Sequence, residues 1–315
     1  MSWLKDPEGQ DHQKLSLTYR MLRRFNRSLM SVWFRELDIV DNENIPHEGG
    51  IMFVSWHPSG LIDPMLLHAS LPGKLSILAK HTLFDMPIIG RMIRGGGGLP
   101  IYRANDSDNV ELAKSNNAAM LENAGTEIAN GGRLLLFPEG RTHTESDVSK
   151  AKTGAARIML NALRSAQNSN LPTPTLIPVG LHYSNSNKFR ERGAVILERP
   201  MNLPEIPPNL DNDEEQMLVD QNWVLEVTDS IESELRRASL SKTTCEERRL
   251  IWLARSVAYA ERAAQSGEKL QRPSYADSVI GARRLRAGWE YYNANNPEKI
   301  APLVEQSKNH FAELE

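Results

Sequence analysis

The sequence predicts an α/β protein with a mixed central sheet flanked by helices, preceded by an amphipathic helix and followed by a helical extension. Between about residues 49 and 200, short apolar runs alternate with longer amphipathic stretches, a pattern typical of strands that alternate with helices. Helical periodicity also fills residues 14 to about 38 and residues 213–315. The predicted divisions are an N-terminal amphipathic helix (1–40), an α/β domain (41–210) and a helical C-terminal extension (211–315).

The first predicted helix has one basic and one apolar face. At about 100° per residue, the arginines fall in one arc, and these are Arg20, Arg23, Arg24, Arg27 and Arg35. The opposite face carries Leu15, Met21, Leu22, Phe25, Leu29, Val32 and Trp33. Such a helix can lie in a membrane interface with its arginines among anionic headgroups. Alternatively, its apolar stripe covers the α/β core while the arginines are solvated.

The strands of the α/β domain are predicted from apolar runs bounded by turn signals. In chain order these runs are IMFVSW, KLSILA, GGLPIY, RLLLFP, TLIPVGL and AVILE. Residues 105–130 and 149–166 between them have helical patterns. Pro178, near the centre of TLIPVGL, indicates an edge strand or a bend. The proline- and acid-rich stretch RPMNLPEIPPNLDNDEEQ predicts a surface linker before the last helices.

The bulk composition excludes several classes of function. A formal net charge of −3 argues against a general nucleic-acid binder, which is usually strongly basic. The single cysteine, Cys245, rules out an intramolecular disulfide and a cysteine-rich metal site, and no histidine cluster has ligand spacing. The first residues are too polar for a secretory signal, and no run reaches the roughly 18 apolar residues of a membrane span. We therefore expect a cytoplasmic protein, either soluble or peripheral to a membrane, without a metal.

The segment SWHPSGLIDP places His57 and Asp63 at opposite ends of a turn that follows the first apolar run. Pro58 and Gly60 forbid a regular helix between them, and Gly60 can supply the bend that brings Asp63 back onto His57. A carboxylate that holds one imidazole nitrogen leaves the other free to accept a proton from a hydroxyl. The alternative is an ordinary hydrogen bond in a loop.

Cations follow the next predicted strands. Lys80 ends one apolar run, and Arg103 follows another that begins with four consecutive glycines. Glycine backbone can approach a ligand closely, and two cations at strand ends can hold a phosphate, although the glycine run can also be a flexible connector. Arg141 adds a third phosphate-capable group after the FPEG turn, which lies where α/β proteins tend to bind ligands.

Four segments in order, the His57–Asp63 pair, GLPIYR, FPEGR and IPVGL, resemble the sequence blocks of the glycerolipid acyltransferase family. The resemblance covers about residues 49–200. KTGAARIML and NKFRERGAVILE are similar to its glycerol-3-phosphate and dihydroxyacetone-phosphate branch. Most members have four residues between the histidine and the aspartate, whereas this chain has five, a spacing that is similar to that branch.

The resemblance implies transfer of a fatty acyl group from acyl-CoA or acyl-ACP to a hydroxyl of glycerol-3-phosphate or 1-acylglycerol-3-phosphate, as in phospholipid biosynthesis. His57 would remove the hydroxyl proton and Asp63 would stabilise the imidazolium, with the thioester as co-substrate and no other cofactor. The residues expected to position the phosphorylated acceptor are Arg103, Glu139, Gly140 and Arg141. We add Lys80 and Lys152 as further candidate phosphate contacts.

The resemblance also implies a membrane surface as a partner, because the product is a lipid. Within the same class, another lysophospholipid or lipid hydroxyl is an alternative acceptor. A serine hydrolase is disfavoured because the chain has no Gly-x-Ser-x-Gly elbow. A non-catalytic lipid-binding relative would have lost part of the site, whereas the histidine, aspartate, glutamate and arginine are all in place.

Overall fold

The structure is a computed structural model that describes residues 15–102, 110–140, 148–185, 188–240 and 245–312. The chain forms two compact units, Met1–Ser239 and Leu240–Glu315. The first unit holds the sheet. Its strands are β1 (Phe34–Val40), β2 (Ile51–Ser55), β3 (Leu75–Lys80), β4 (Gly98–Ile101), β5 (Arg133–Leu136), β6 (Thr175–Tyr183) and β7 (Glu191–Leu197).

The described strands form one seven-stranded sheet in the order β1-β7-β6-β2-β5-β3-β4. All neighbours are parallel except β6 and β7, which pair antiparallel. The predicted mixed sheet is therefore confirmed. Since β2, β3, β4, β5 and β6 run in the same direction, their carboxyl ends meet at one edge.

Helices surround the sheet in the first unit. They are α1 (Leu17–Trp33), α2 (Ile62–Ser70), α3 (Ile89–Gly95), α4 (Val110–Ala129), α5 (Gly154–Asn168) and α6 (Asp213–Ser239). The α5 helix buries one apolar face, which includes Ile158, Met159 and Leu163, against the core that β2 and β5 share. Burying each such side chain contributes about 1.5–3 kcal/mol, so this packing holds the sheet and its edge in place.

Two predicted boundaries differ from the structure. The predicted first helix runs to about 38, but α1 ends at Trp33 and β1 follows, paired with β7. That partner lies far along the chain, so local periodicity does not reveal the pairing. The predicted domain boundary at 210 also precedes the observed division after Ser239, because α6 packs on β6 and α5 of the first unit.

Pro178 does not lie in an edge strand, because β6 is flanked by β7 and β2. Its carbonyl accepts from the backbone N–H of Glu198, 3.0 Å away, just after β7 ends at Leu197. The proline, which has no N–H to donate, therefore lies at the end of the ladder with β7, where a missing donor disturbs the pairing least.

The four-glycine run is explained by packing between α3 and β4. A Cβ on Gly98 would lie 2.1 Å from the Cγ2 atom of Ile93, and Gly97 has φ +81°. Since no other residue fits so close to the helix, the run serves the turn from α3 into β4. The structure thus supports neither the flexible connector nor, at Gly98, an opening toward a ligand.

The α1 helix turns its basic side toward α2. Arg23 is buried, and its guanidinium donates to the carbonyls of Gly73, 3.0 Å away, and Leu71, while Arg27 donates to Ala69 at 3.0 Å. These carbonyls lie at or just beyond the carboxyl end of α2, where a helix leaves acceptors without partners and favours positive charge.

The apolar stripe of α1 faces solvent as a result. Four of its residues are exposed, with fractions of 63% for Met21, 53% for Phe25, 37% for Leu29 and 56% for Val32. Leu17, which lies outside the predicted stripe, is 66% exposed beside them. The alternative in which the whole stripe covers the core is therefore wrong for these residues, although Trp33 of the same face does pack against the core and Arg20 and Arg24 are exposed. Tyr19 and Met30 are the large apolar side chains of α1 that are buried.

The second unit is helical, as predicted, with α7 (Cys245–Gln265), α8 (Tyr275–Asn295) and α9 (Pro297–Ala312). Ser274 caps α8 by accepting from the backbone N–H of Asp277 at 3.0 Å. Trp252 of α7 stacks on Tyr275 of α8, with ring centroids 6.1 Å apart. In the part of the chain that the structure describes, no helix is both long and apolar enough to cross a bilayer.

Candidate active site

Three of the predicted site residues lie at the edge where the parallel strands end. His57 lies two residues after β2, Glu139 lies three residues after β5, and Lys80 is the last residue of β3. The strands β2, β5 and β3 are neighbours in the sheet. The fold therefore brings the imidazole, the FPEG turn and one predicted cation to the same edge.

His57 and Asp63 contact each other directly. The Nδ1 atom of His57 lies 2.8 Å from Oδ2 of Asp63, which also accepts the backbone N–H of Ser59 at 2.7 Å. Gly60 has φ +53°, and this turn leads into α2, whose first turn carries the fully buried Asp63. The five-residue spacing is thus compatible with the predicted contact.

The protein fixes the orientation of the imidazole. A carboxylate accepts hydrogen bonds and does not donate them, so Nδ1 of His57 carries the proton and Nε2 presents its lone pair. One ring face stacks on Phe137, with centroids 4.1 Å apart and planes 15° apart. The side chain keeps an exposed fraction of 16%. This arrangement suits a general base that accepts a proton at Nε2.

Tyr183 contacts the dyad, although no sequence motif indicated it. Its hydroxyl donates to Oδ1 of Asp63 at 2.7 Å, and its ring stacks on Phe34, with centroids 5.6 Å apart. Burial of the hydroxyl, followed by the charge and hydrogen bond of Asp63, raises the pKa of Tyr183 well above its usual value. The available signal was a tyrosine at the end of TLIPVGLHY, the strand beside β2.

Glu139 holds backbone in the structure. It is 2% exposed, and its Oε1 accepts the N–H of His57 at 3.1 Å while Oε2 accepts the N–H of Ser149 at 2.8 Å. It therefore links the loop after β2 to the segment that leads into α5. These contacts hold the backbone of His57 in position. The sequence predicted only a contact between Glu139 and the acceptor.

Lys152 lies against the FPEG turn. Its backbone N–H donates to the carbonyl of Pro138 at 2.9 Å, and a Cβ built on Gly140 would be 2.9 Å from its Nζ. The ammonium is thus beside the turn that carries Glu139. Arg103 and Arg141, the other predicted phosphate contacts, lie outside the described residues. The described residues contain no group of three or more His, Cys, Asp or Glu side chains arranged to hold a metal.

Comparison with known proteins finds a family profile that matches the region of this site. The acyltransferase family profile matches residues 36–182, which include His57, Asp63 and the FPEG turn. Glycerol-3-phosphate O-acyltransferase 1 of Saccharomyces cerevisiae is 24% identical over 193 residues, which cover 61% of this chain and 23% of that protein. Glycerol-3-phosphate O-acyltransferase 2 of the same yeast is 24% identical over 138 residues, which cover 42% of this chain and 18% of that protein.

The chain spans less than a quarter of the length of these two yeast relatives. Among solved structures, the 1-acyl-sn-glycerophosphate (LPA) acyltransferase PlsC from Thermotoga maritima is similar, with a TM-score of 0.43 and 18% sequence identity. That match covers 69% of this chain and 80% of the Thermotoga chain.

Proposed function

We propose that this chain, whose residues 36–182 belong to the acyltransferase family, transfers a fatty acyl group from acyl-CoA or acyl-ACP to a hydroxyl of glycerol-3-phosphate or 1-acylglycerol-3-phosphate. The observation that carries the proposal is the 2.8 Å bond between His57 and Asp63 beside the FPEG turn. It leaves the Nε2 atom of a braced imidazole as the proton acceptor at the ligand-binding edge of the sheet.

The reaction follows from that geometry. Nε2 of His57 accepts the proton of the acceptor hydroxyl, and the hydroxyl oxygen attacks the carbonyl carbon of the thioester. Asp63 stabilises the imidazolium that forms. The tetrahedral intermediate then breaks its carbon–sulfur bond, and the leaving thiolate takes the proton from the imidazolium. The acyl group passes directly to the alcohol, so the reaction needs neither an acyl-enzyme nor a cofactor besides the thioester co-substrate.

The acceptor phosphate is assigned to the cations at this edge. Lys152, beside the FPEG turn, and Lys80, at the end of β3, support a phosphate site next to His57. Arg103 and Arg141 complete the proposed set from their positions in the sequence. Glu139 and Gly140 contribute by holding the turn and the backbone of His57.

The proposal includes a peripheral position on a membrane, from the cytoplasmic side. The exposed apolar stripe of α1, flanked by the exposed Arg20 and Arg24, supports binding to an anionic lipid surface. A lipid product is delivered most directly by an enzyme that rests on the bilayer.

The test is an acyl-transfer assay with labelled acyl-CoA and acyl-ACP against a panel of acceptors: glycerol-3-phosphate, 1-acylglycerol-3-phosphate, lysophosphatidylcholine and glycerol. We expect a phosphorylated glycerol to be acylated, and glycerol to be unreactive because it lacks the phosphate. Equal rates with glycerol and glycerol-3-phosphate would contradict the phosphate site, and no transfer to any member of the panel would contradict the activity.

A further inference from the structure

The carboxylate of Asp63 is held at both oxygens. Oδ2 accepts from His57 and from the backbone of Ser59, whereas Oδ1 accepts from the hydroxyl of Tyr183 at 2.7 Å. Asp63 itself has no exposed surface. With a donor on each oxygen, the carboxylate cannot rotate to offer a different edge to the imidazole without breaking a buried charged hydrogen bond.

Tyr183 is itself fixed by structure on two sides. It is the last residue of β6, and its ring lies nearly parallel to that of the buried Phe34, with an interplanar angle of 8°. Its raised pKa keeps the hydroxyl protonated throughout the physiological range, so the group stays a donor. The hydroxyl is directed at Asp63, which places it behind the dyad.

We propose that Tyr183 is a positioning residue for the acyl transfer proposed above, acting on His57 through Asp63. By donating to Oδ1, it draws negative charge away from the oxygen that faces the imidazole. Without that donor the carboxylate would interact more strongly with a positively charged imidazole, so we expect loss of the hydroxyl to strengthen proton binding at His57.

Among the described residues, the ionisable groups at this edge of the sheet include Lys80 at the end of β3 and Lys152 beside the FPEG turn. Glu139 approaches from the β5 loop and contacts the backbone N–H of His57. Asp63 comes from α2 and Tyr183 from β6. Replacing Tyr183 by Phe removes none of these charged groups, so the direct effect of the change falls on Asp63, which the hydroxyl contacts.

Tyr183→Phe is the direct test, and Tyr19→Phe is its matched control. Tyr19 is buried, and its hydroxyl accepts the N–H of Leu75 at 2.8 Å and donates to the carbonyl of Gly73 at 3.3 Å, so its hydrogen bonds involve neither His57 nor Asp63. Both variants lose one enclosed hydroxyl, so both are expected to lose thermal stability. Only Tyr183→Phe is expected to change the chemistry.

For Tyr183→Phe we expect kcat to fall about tenfold, with the acceptor KM within about twofold of wild type. The acid limb of the kcat/KM profile should move to higher pH. The NMR titration midpoint of the His57 imidazole, measured without substrate, should move in the same direction. Tyr19→Phe should leave the limb and the midpoint in place.

The proposal would be overturned if folded Tyr183→Phe had the same acid limb and the same NMR midpoint as wild type. It would also be overturned by a raised acceptor KM with unchanged kcat, because that result would place Tyr183 in the acceptor site. If wild type transfers no acyl group, the proposed function fails, while the NMR titration still tests the coupling. Should Tyr183→Phe not fold, Phe34→Leu replaces it, because it loosens the ring and keeps the hydroxyl. We expect smaller shifts in the same direction, and their absence would refute the positioning role.

Discussion

Arg23 of α1 donates to the carbonyl oxygen of Gly73, 3.0 Å away, from a position that is almost completely buried. An arginine normally keeps its charged group in water, and here the carbonyls after α2 replace that water. Because the basic face of α1 is occupied in this way, the apolar face is turned outward. The resulting exposed surface (Leu17, Met21, Phe25, Leu29 and Val32) is apolar, and exposed apolar patches of this kind mark binding sites.

Changing the stripe should therefore change binding to lipid. For the double variant Met21→Glu/Phe25→Glu we expect at least tenfold weaker binding to vesicles of phosphatidylcholine with 30% phosphatidylglycerol, because two apolar contacts are lost and two negative charges are added. Sedimentation or tryptophan fluorescence measures it. The control is Leu225→Glu, a change at a 47% exposed leucine of α6, which should bind like wild type. Equal binding by the double variant would contradict the membrane role of α1.

His57→Ala should abolish acyl transfer while the protein stays folded. The imidazole is the only side chain that the proposed mechanism uses to accept the hydroxyl proton, so its loss should lower kcat by about 100-fold or more. The measurement is product formation from labelled acyl-CoA, with circular dichroism as a check on folding. His47→Ala, at an exposed loop position, is the control and should retain wild-type turnover. Normal turnover by His57→Ala would exclude the general-base assignment.

Lys152→Met should weaken binding of the phosphorylated acceptor. A charge-assisted hydrogen bond to phosphate contributes about 1.5–3 kcal/mol, so the acceptor KM should rise at least about tenfold while kcat changes little. Lys150→Met removes an exposed lysine two residues away and controls for the loss of positive charge near α5. If both variants have the same KM, the acceptor phosphate is bound without Lys152.

The dyad was predictable from sequence because its determinants are local. His57, Gly60 and Asp63 lie within seven residues, so a turn-forming glycine was enough to indicate the contact. Tyr183 bonds to Asp63 across 120 residues, and that contact exists only because β6 pairs beside β2. The same limit hid β1, whose partner β7 is also far away in sequence.

Which face of α1 is buried was not predictable, for a different reason. Amphipathic periodicity identifies an apolar face but does not tell which face is buried. The deciding partners of Arg23 and Arg27 are backbone carbonyls near the end of α2, and every residue type has a carbonyl. No residue pattern in the sequence marks that end as the place where two arginines bind.

Glu139→Gln should reduce both stability and activity. The carboxylate accepts two backbone N–H groups, whereas a glutamine offers one oxygen and turns an NH₂ group toward the second donor. We expect a loss of about 1–3 kcal/mol in the free energy of unfolding, measured by urea denaturation. The kcat should fall with it because the backbone of His57 loses its support. Wild-type stability would show that the two N–H groups find other acceptors.

Stability should also depend on pH through His68, which lies under α1. Burial, and then the positive charges of Arg23 and Arg27, lower the pKa of His68 from 6.5 to about 4. Its Nδ1 lies 3.1 Å from the amide nitrogen of Asn26, which matches a neutral imidazole that accepts from the amide. The folded protein therefore keeps His68 uncharged under conditions in which an unfolded chain would protonate it.

The sign of the effect follows from proton binding. Below pH 6.5 the unfolded state binds a proton at His68 that the native state does not, so the free energy of unfolding falls as pH falls. The contribution is fully present above pH 6.5 and is lost progressively down to about pH 4, for a total of about 3 kcal/mol. Urea denaturation between pH 7.5 and 5.0 should show a loss of about 2 kcal/mol from this residue. His68→Gln should flatten that dependence, whereas the control His47→Gln should preserve it. Parallel curves for wild type and His68→Gln would mean that His68 binds protons equally in the native and unfolded states.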